Sequence, residues 1–145
     1  MQIKFKKLTD GAKVPSFASV GSAGADLYSL PGEALEIPSG EARLVHTGIA
    51  LQIPVGYVGL IFARSGLATK RGLAPSNKVG VIDSDYRGEI MVSLFNQSKD
   101  TQTVEGGERV AQISIVPYLS CEFIEVDELE QTERGSGGFG STGTK

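Results

Sequence analysis

Cysteine and histidine are nearly missing from this 145-residue chain: Cys121 and His46 each stand alone. One cysteine excludes an internal disulfide and suits a reducing compartment. One cysteine and one histidine cannot build a structural zinc site. A Cys–His nucleophile pair has no local motif behind it, and His46 reads as an ordinary, satisfied strand histidine. Positive charge is not in excess. Lys plus Arg is 14 against 17 for Asp plus Glu, giving a net charge of −3, which argues against general nucleic-acid binding. A polyanionic ligand would need a local cluster of arginines, with or without a metal. No stretch approaches the ~18 apolar residues of a membrane span. The opening Met1-Gln-Ile-Lys-Phe-Lys-Lys7 has no long apolar core after its charges, so no secretory signal is expected and the expected location is cytoplasmic. No internal repeat and no second domain are visible.

What is present is glycine and short apolar runs. There are 19 Gly, and 40% of the chain is apolar. The runs are bounded by Gly, Pro, Asn or Ser, which reads as one mostly β domain with many turns. Alternation at Ile3, Phe5 and Lys7 suggests a first strand. Asp26 opens another after the small residues 16–25, either to cap a turn or to reach a buried polar site. Strands are expected over Leu35 to Ile37, Ala42 to Ile53, Val55 to Ala63, Glu108 to Pro117 and Cys121 to Val126, with a polar loop from Lys99 to Gly107. In the Glu108 strand, Ala111, Ile113 and Ile115 share one face, and Val110, Gln112 and Ser114 the other. Cys121 is expected as a small buried residue. The single convincing helix covers residues 66–71, with Ser65 as N-cap and Gly72 as its end. Arg64, the Ser65 hydroxyl and the Gly66 amide form either an anion site at that helix start or an ordinary capped connector.

The stretch Gly80-Val-Ile-Asp-Ser-Asp-Tyr-Arg-Gly88 lies between the apolar runs Val79 to Ile82 and Glu89 to Phe95, and its composition predicts a β-hairpin. Asp83 sits at the exit of the first strand, Tyr86 adds a flat ring three residues later, and Gly80 and Gly88 allow close backbone approach. Such a unit could hold a planar heterocycle, stack a sugar and activate a water. It is also common turn chemistry. At the other end, five of the twelve residues 134–145 are Gly, which by itself says flexible tail. Residues 135–142 resemble a phosphate loop, but the Lys of an ordinary P-loop is absent and the chain offers no helix after it. A mobile arm could instead close over a polyphosphate, with Arg134 adding charge, Phe139 covering a ring and glycine amides cradling oxygens.

Five segments together resemble the trimeric-type dUTPase family: Ala23-Gly-Ala-Asp-Leu-Tyr28, Ala63-Arg-Ser-Gly-Leu-Ala68, Asn77-Lys-Val-Gly-Val-Ile-Asp-Ser-Asp-Tyr-Arg-Gly88, Gly107-Glu-Arg-Val-Ala-Gln112 and Arg134-Gly-Ser-Gly-Gly-Phe-Gly-Ser-Thr142. They stand in the family's order over nearly the full length. The resemblance implies an all-β, distorted jelly-roll-like barrel or sandwich with one short helix. It implies a β domain over 1–133 and a Gly-rich arm, 134–145, exchanged in a homotrimer with active sites at subunit interfaces. It implies Mg2+-dependent hydrolysis of dUTP to dUMP and pyrophosphate, limiting uracil incorporation into DNA and supplying dUMP for dTMP synthesis.

By the same resemblance, Asp83 orients and deprotonates the attacking water. Asn77, Gly80, Val81, Ile82, Tyr86 and Met91 surround uracil and deoxyribose. Arg64, Ser65, Gly66, Gln112, Arg134, Gly140, Ser141 and Thr142 bind phosphates, with Phe139 as the ring of the lid. Asp26 supports the metal indirectly, through water, and Arg109 braces the site. Selectivity follows from physical rules: cytosine would leave a buried donor and acceptor unpaired, a thymine methyl would collide with a tight hairpin, and Tyr86 would exclude a 2′-hydroxyl. Competing readings are a dCTP deaminase-type relative and a catalytically silent trimer that senses nucleotide or binds protein.

Overall fold

The computed structural model describes residues 1–32 and 34–138. Its strands are β1 (Lys4–Lys7), β2 (Ser16–Phe17), β3 (Ala25–Tyr28), β4 (Leu35–Ile37), β5 (Ala42–Gln52), β6 (Tyr57–Phe62), β7 (Leu73–Pro75), β8 (Gly80–Ile82), β9 (Glu89–Asn96), β10 (Gln102–Val104) and β11 (Arg109–Pro117). One helix, α1 (Ser65–Arg71), separates β6 from β7. The strands form a five-stranded sheet ordered β2-β3-β11-β6-β8, a four-stranded sheet ordered β1-β5-β9-β7 and a β10-β4 pair. Every pairing is antiparallel.

Alternation in the sequence puts one face of each large sheet inward. In β9, Ile90, Val92, Leu94 and Asn96 are buried while Glu89, Met91, Ser93 and Phe95 are half-buried on the other face. Leu27, Ile61, Ala111 and Ile113 of the five-stranded sheet meet Val45, Ile49, Leu51, Val92 and Leu94 of the four-stranded one in a single core. Truncating a fully buried side chain such as Leu94 to Ala would cost about 2–5 kcal/mol. The buried Asn96 is fully paired: Nδ2 donates to the carbonyls of Ile37 and Asp100, and Oδ1 accepts from the Ser98 amide and hydroxyl. No helix among the described residues is long and apolar enough to cross a membrane.

Several sequence expectations are corrected here. The runs on either side of residues 83–88 are not a hairpin. β8 pairs with β6, and β9 pairs with β5 and β7, so the turn carries the chain from one sheet to the other. A Cβ on Gly80 would lie 3.1 Å from Ile61 Cβ, and one on Gly59 would lie 3.2 Å from Ile82 Cβ, so the two glycines let β8 lie against β6. Ser65 is not the N-cap of α1. Arg64 occupies the cap in an extended conformation with no side-chain cap bond, and Ser65 starts the helix. The C-terminal expectation holds: Gly72, left-handed at φ 66°, caps α1 through its amide. The polar segment 99–107 contains β10, paired with β4. In β11 the register slips between Arg109 and Ala111, so Val110 and Ala111 are both buried and the expected opposition of their faces fails at that bulge. Cys121 to Val126 forms no strand, and Cys121 is exposed.

Candidate active site

The ladder register builds the first half of the site. β3 pairs Asp26 with Gln112, and β6 pairs Phe62 with the same Gln112. Residues directly opposite in a ladder share a face, so these three project together from the side away from the core. Asp26 is 7% exposed and is held by two guanidinium groups. Arg64 Nε donates to Oδ1 at 2.8 Å, and Arg109 Nη1 donates to Oδ2 at 3.2 Å. The amide of the Gln112 side chain donates to the Ala63 carbonyl at 3.0 Å, which ties β11 to the approach to α1. A Cβ on Gly24 would fall 2.9 Å from Gln112 Oε1, so the small residues before Asp26 make room for this side chain. The result is a cationic rim. Arg64 spends only Nε on Asp26, Ser65 and Gly66 are exposed at the start of α1, and the first helical amides have no intrahelical acceptor. Anionic oxygens suit that arrangement.

The second half is the sheet-to-sheet turn. Asn77 lies in an exposed turn before β8, where Lys78 adopts φ 66°. Gly80 is buried against β6, Val81 is 61% exposed and Ile82 is half-buried. Asp83 is exposed and takes part in no ion pair among the described residues. The turn is closed by the Tyr86 amide on the Asp83 carbonyl (3.2 Å) and by Arg87 Nη1, which donates to the carbonyls of Ser84 (2.7 Å) and Tyr86 (2.8 Å). The Tyr86 hydroxyl donates to the Glu89 carbonyl at 3.0 Å. Met91 is half-buried on β9, opposite His46. An open depression of about 570 Å³ lies between this turn and the outer face of β6, lined by Val58, Leu60, Val81, Asp83, Ser84, Asp85 and Tyr118. Ligand clefts are commonly of that volume.

One chain does not bring the two halves together. Ile82 pairs with Gly59, so Asp83 falls level with Val58, four residues along β6 from Phe62. At ~3.3 Å per residue that is about 13 Å along the strands, and β3 lies three spacings of ~4.8 Å from β8. Arg134 is exposed, and its Nε donates to the Gly137 carbonyl at 2.8 Å. Phe139, Gly140, Ser141 and Thr142 lie outside the described residues. No group of three or more His, Cys, Asp or Glu could hold a metal among the described residues.

The sequence reading passed over Val58, Leu60 and Tyr118, which line the depression. The signal was there, since Val58 and Leu60 alternate with the buried Gly59 and Ile61. It also passed over Glu89. His46 is, as expected, a satisfied strand histidine: it lies exposed on β5, and its Nδ1 donates to Glu89 Oε2 at 2.9 Å. Burial disfavours the charged Glu89, but hydrogen bonds from His46 and from the Gly48 and Thr47 amides, together with the charge on His46, outweigh it and hold the carboxyl below its ordinary value.

Comparison with known proteins identifies the family of the chain. A family model described as dUTPase matches residues 10–143. A deoxyuridine 5'-triphosphate nucleotidohydrolase of Acinetobacter baumannii (strain ATCC 17978) is 51% identical over 131 residues, 90% of this chain and 87% of the relative. One from Nautilia profundicola is 48% identical over 143 residues, covering 99% of each chain. Among solved structures, the Staphylococcus bacteriophage 80alpha dUTPase with dUpNHpp has a TM-score of 0.85 at 30% identity, covering 99% of each chain. A dUTPase from phage phi11 of S. aureus, in which a structural Mg(II) ion is coordinated, has a TM-score of 0.81 at 26% identity, covering 90% of this chain and 100% of the other. The fold is jelly-roll-like, as in these neighbours, and the chain belongs to the dUTPase family.

Proposed function

We propose that this protein hydrolyses dUTP to dUMP and pyrophosphate at sites shared between copies of the chain in a homotrimer. The observation that carries the shared site is the separation of the Asp26 cluster from Asp83 within one chain. A neighbour must bring the two within reach of one triphosphate. One surface supports such packing. Residues 118–138 carry no strand or helix yet expose Leu119, Phe123, Ile124, Val126 and Leu129. Exposed apolar area of this kind is what subunit interfaces cover.

In this reading the depression beside Val81 takes uracil, read by the backbone of residues 80–82, while Asn77 and Met91, which do not line it, contact the base or its immediate support. Tyr86 lies under the deoxyribose. Asp83 accepts a proton from the water that attacks the α-phosphorus, a role that requires a carboxylate with free lone pairs. Arg64, Ser65, Gly66 and Gln112 of a neighbouring copy receive the phosphate oxygens, and Arg109 keeps Asp26 in place. The segment 134–145, with Arg134, Phe139, Gly140, Ser141 and Thr142, covers the nucleotide as an arm distinct from the body over 1–133.

The residues present fit Mg2+ only as an ion carried by the substrate. There is no protein cage among the described residues, and both Asp26 oxygens already accept from arginines. Asp26 would therefore act on the ion through water. Mg2+ keeps several of its own waters and, when bound to phosphates, offsets charge that develops there. The chain's own contribution is to position dUTP, hold the water and exclude wrong bases.

The deciding experiment measures pyrophosphate release from dUTP with Mg2+ beside dCTP, dTTP and UTP. Fast release confined to dUTP supports the whole reading. Ammonia release from dCTP would move the activity to the deaminase branch, and no turnover of dUTP by a folded oligomer would overturn it.

A further inference from the structure

Tyr86 is held from behind in a way the reaction alone does not require. Its hydroxyl hangs on the Glu89 carbonyl, so the ring folds back across Gly88. A Cβ on Gly88 would lie 2.4 Å from that hydroxyl and 2.6 Å from Cζ. No side chain fits there unless the ring moves.

Glu89 in turn opens β9 and is fastened to an irregularity in β5. The ladder pairs His46 with Met91 and then Ala50 with Glu89, so four steps of β5 face two of β9. The surplus bulges at Thr47 and Gly48. Gly48 sits at φ 67°, and a Cβ on it would come within 2.9 Å of Leu30, Thr9 and Ala12. Only glycine fits that position without strain. Two side chains stitch the bulge to β9. Thr47 Oγ1 donates to the Ile90 carbonyl at 2.5 Å and accepts the Ile49 amide at 3.3 Å. Glu89 Oε1 accepts the Gly48 amide at 2.7 Å, and Oε2 accepts His46 Nδ1 at 2.9 Å. A carboxylate with both oxygens engaged on a rigid bulge fixes the backbone to which it is attached.

We propose that Glu89 is a positioning residue for sugar discrimination: anchored on the Gly48 bulge and on His46, it fixes the carbonyl that holds the Tyr86 hydroxyl, while Gly88 leaves the space the ring occupies. This rests on the reading of Tyr86 as the surface under the deoxyribose. A neighbouring strand therefore sets the height of the ring, and with it the room left for a 2′-hydroxyl.

The test compares kcat/KM for dUTP and UTP, alongside Tm, in Glu89→Ala, Glu89→Gln, Tyr86→Phe, Gly88→Ala and Tyr86→Ala. Glu89→Ala and Tyr86→Phe are each expected to lower the dUTP/UTP ratio about three- to tenfold, the worth of one net hydrogen bond. Their double variant should lose no more than the worse single, because both break one linkage. Glu89→Gln keeps an acceptor for the Gly48 amide and should retain most of the ratio. Gly88→Ala should lower it as far as Tyr86→Ala does. A fall in Tm and in both kcat/KM values with an unchanged ratio in Glu89→Ala would make Glu89 merely structural and overturn the proposal. Should Glu89→Ala fail to fold, Tyr86→Phe decides, since it leaves the anchor intact, and an unchanged ratio there overturns the proposal. A ratio unchanged in Tyr86→Ala itself is a different failure: it removes the sugar-surface reading, and the inference falls with it.

Discussion

The protein places two aspartates in its candidate site and treats them in opposite ways. Asp26 lies within a ladder, nearly buried, with each oxygen accepting from a different arginine. Asp83 stands at the exit of a three-residue strand, exposed, with no cation on it among the described residues. A carboxylate whose two oxygens already accept from guanidinium groups has its lone pairs committed and serves as a brace. One that faces an open depression keeps its lone pairs for what enters there. The difference teaches that one chain completes the Asp26 cluster by itself, while Asp83 is left open to whatever enters the depression beside it.

Breaking the reacting half has the largest expected effect. Asp83→Asn keeps size and polarity but cannot accept the proton, so kcat for dUTP should fall by about 10²–10⁴-fold with Tm within a few degrees of the parent. Turnover near the parental rate would remove Asp83 from the base role. Next comes the braced half. Asp26→Asn leaves Arg64 and Arg109 without their anion, and loosened phosphate contacts should lower kcat/KM by about 10²-fold. Stability should fall too, by about 2 kcal/mol, because the arginines are partly exposed and the loss stays below that of a fully buried pair. A variant that lost stability but kept kcat/KM would show that the brace does not set the phosphate contacts.

The same contrast explains what could be read from the sequence. Asp26, Gln112 and Arg64 were legible because small residues, a period-2 strand and a helix start are local signals, and the ladder then put them on one row. Gly80 was legible as a close approach, and Gly72 as a helix end. Strand partners were not. Turn composition around Asp83 suggested a hairpin, yet nothing local says that β8 prefers β6 and β9 prefers β5. Pairing is decided by distant packing, and here two facing glycines leave room for it. Cys121 to Val126 has strand-like residues, yet it pairs with none of the edge strands, and nothing local in the sequence says so. Ser65 suggests a cap because hydroxyls commonly serve there, but the cap position falls on Arg64, one residue earlier, with no side-chain cap bond. His46 is the satisfied strand histidine that the sequence suggests, but nothing in the strand's own pattern names Glu89 as its partner.

The smallest expected effect lies behind the reacting half, where Glu89 holds the turn from the β5 bulge. Burial works against its charge, and bonds from His46 and the bulge amides more than offset that, so the folded protein holds the carboxyl below the ordinary 4.5. A depressed carboxyl adds stability that is fully present above the unfolded value and is lost as pH falls through the folded one. The stability gap between the parent protein and Glu89→Gln should therefore be steady near neutral pH and shrink as the pH drops below about 4.5. With His46 exposed, the gap should stay under ~1 kcal/mol even at its largest. Chemical denaturation at pH 7 and at stepwise lower pH reads it directly. A gap that does not narrow would mean that the Gly48 and Thr47 amides donate to the protonated side chain as readily as to the carboxylate, and that the anchor of the Tyr86 turn is a matter of shape and not of charge.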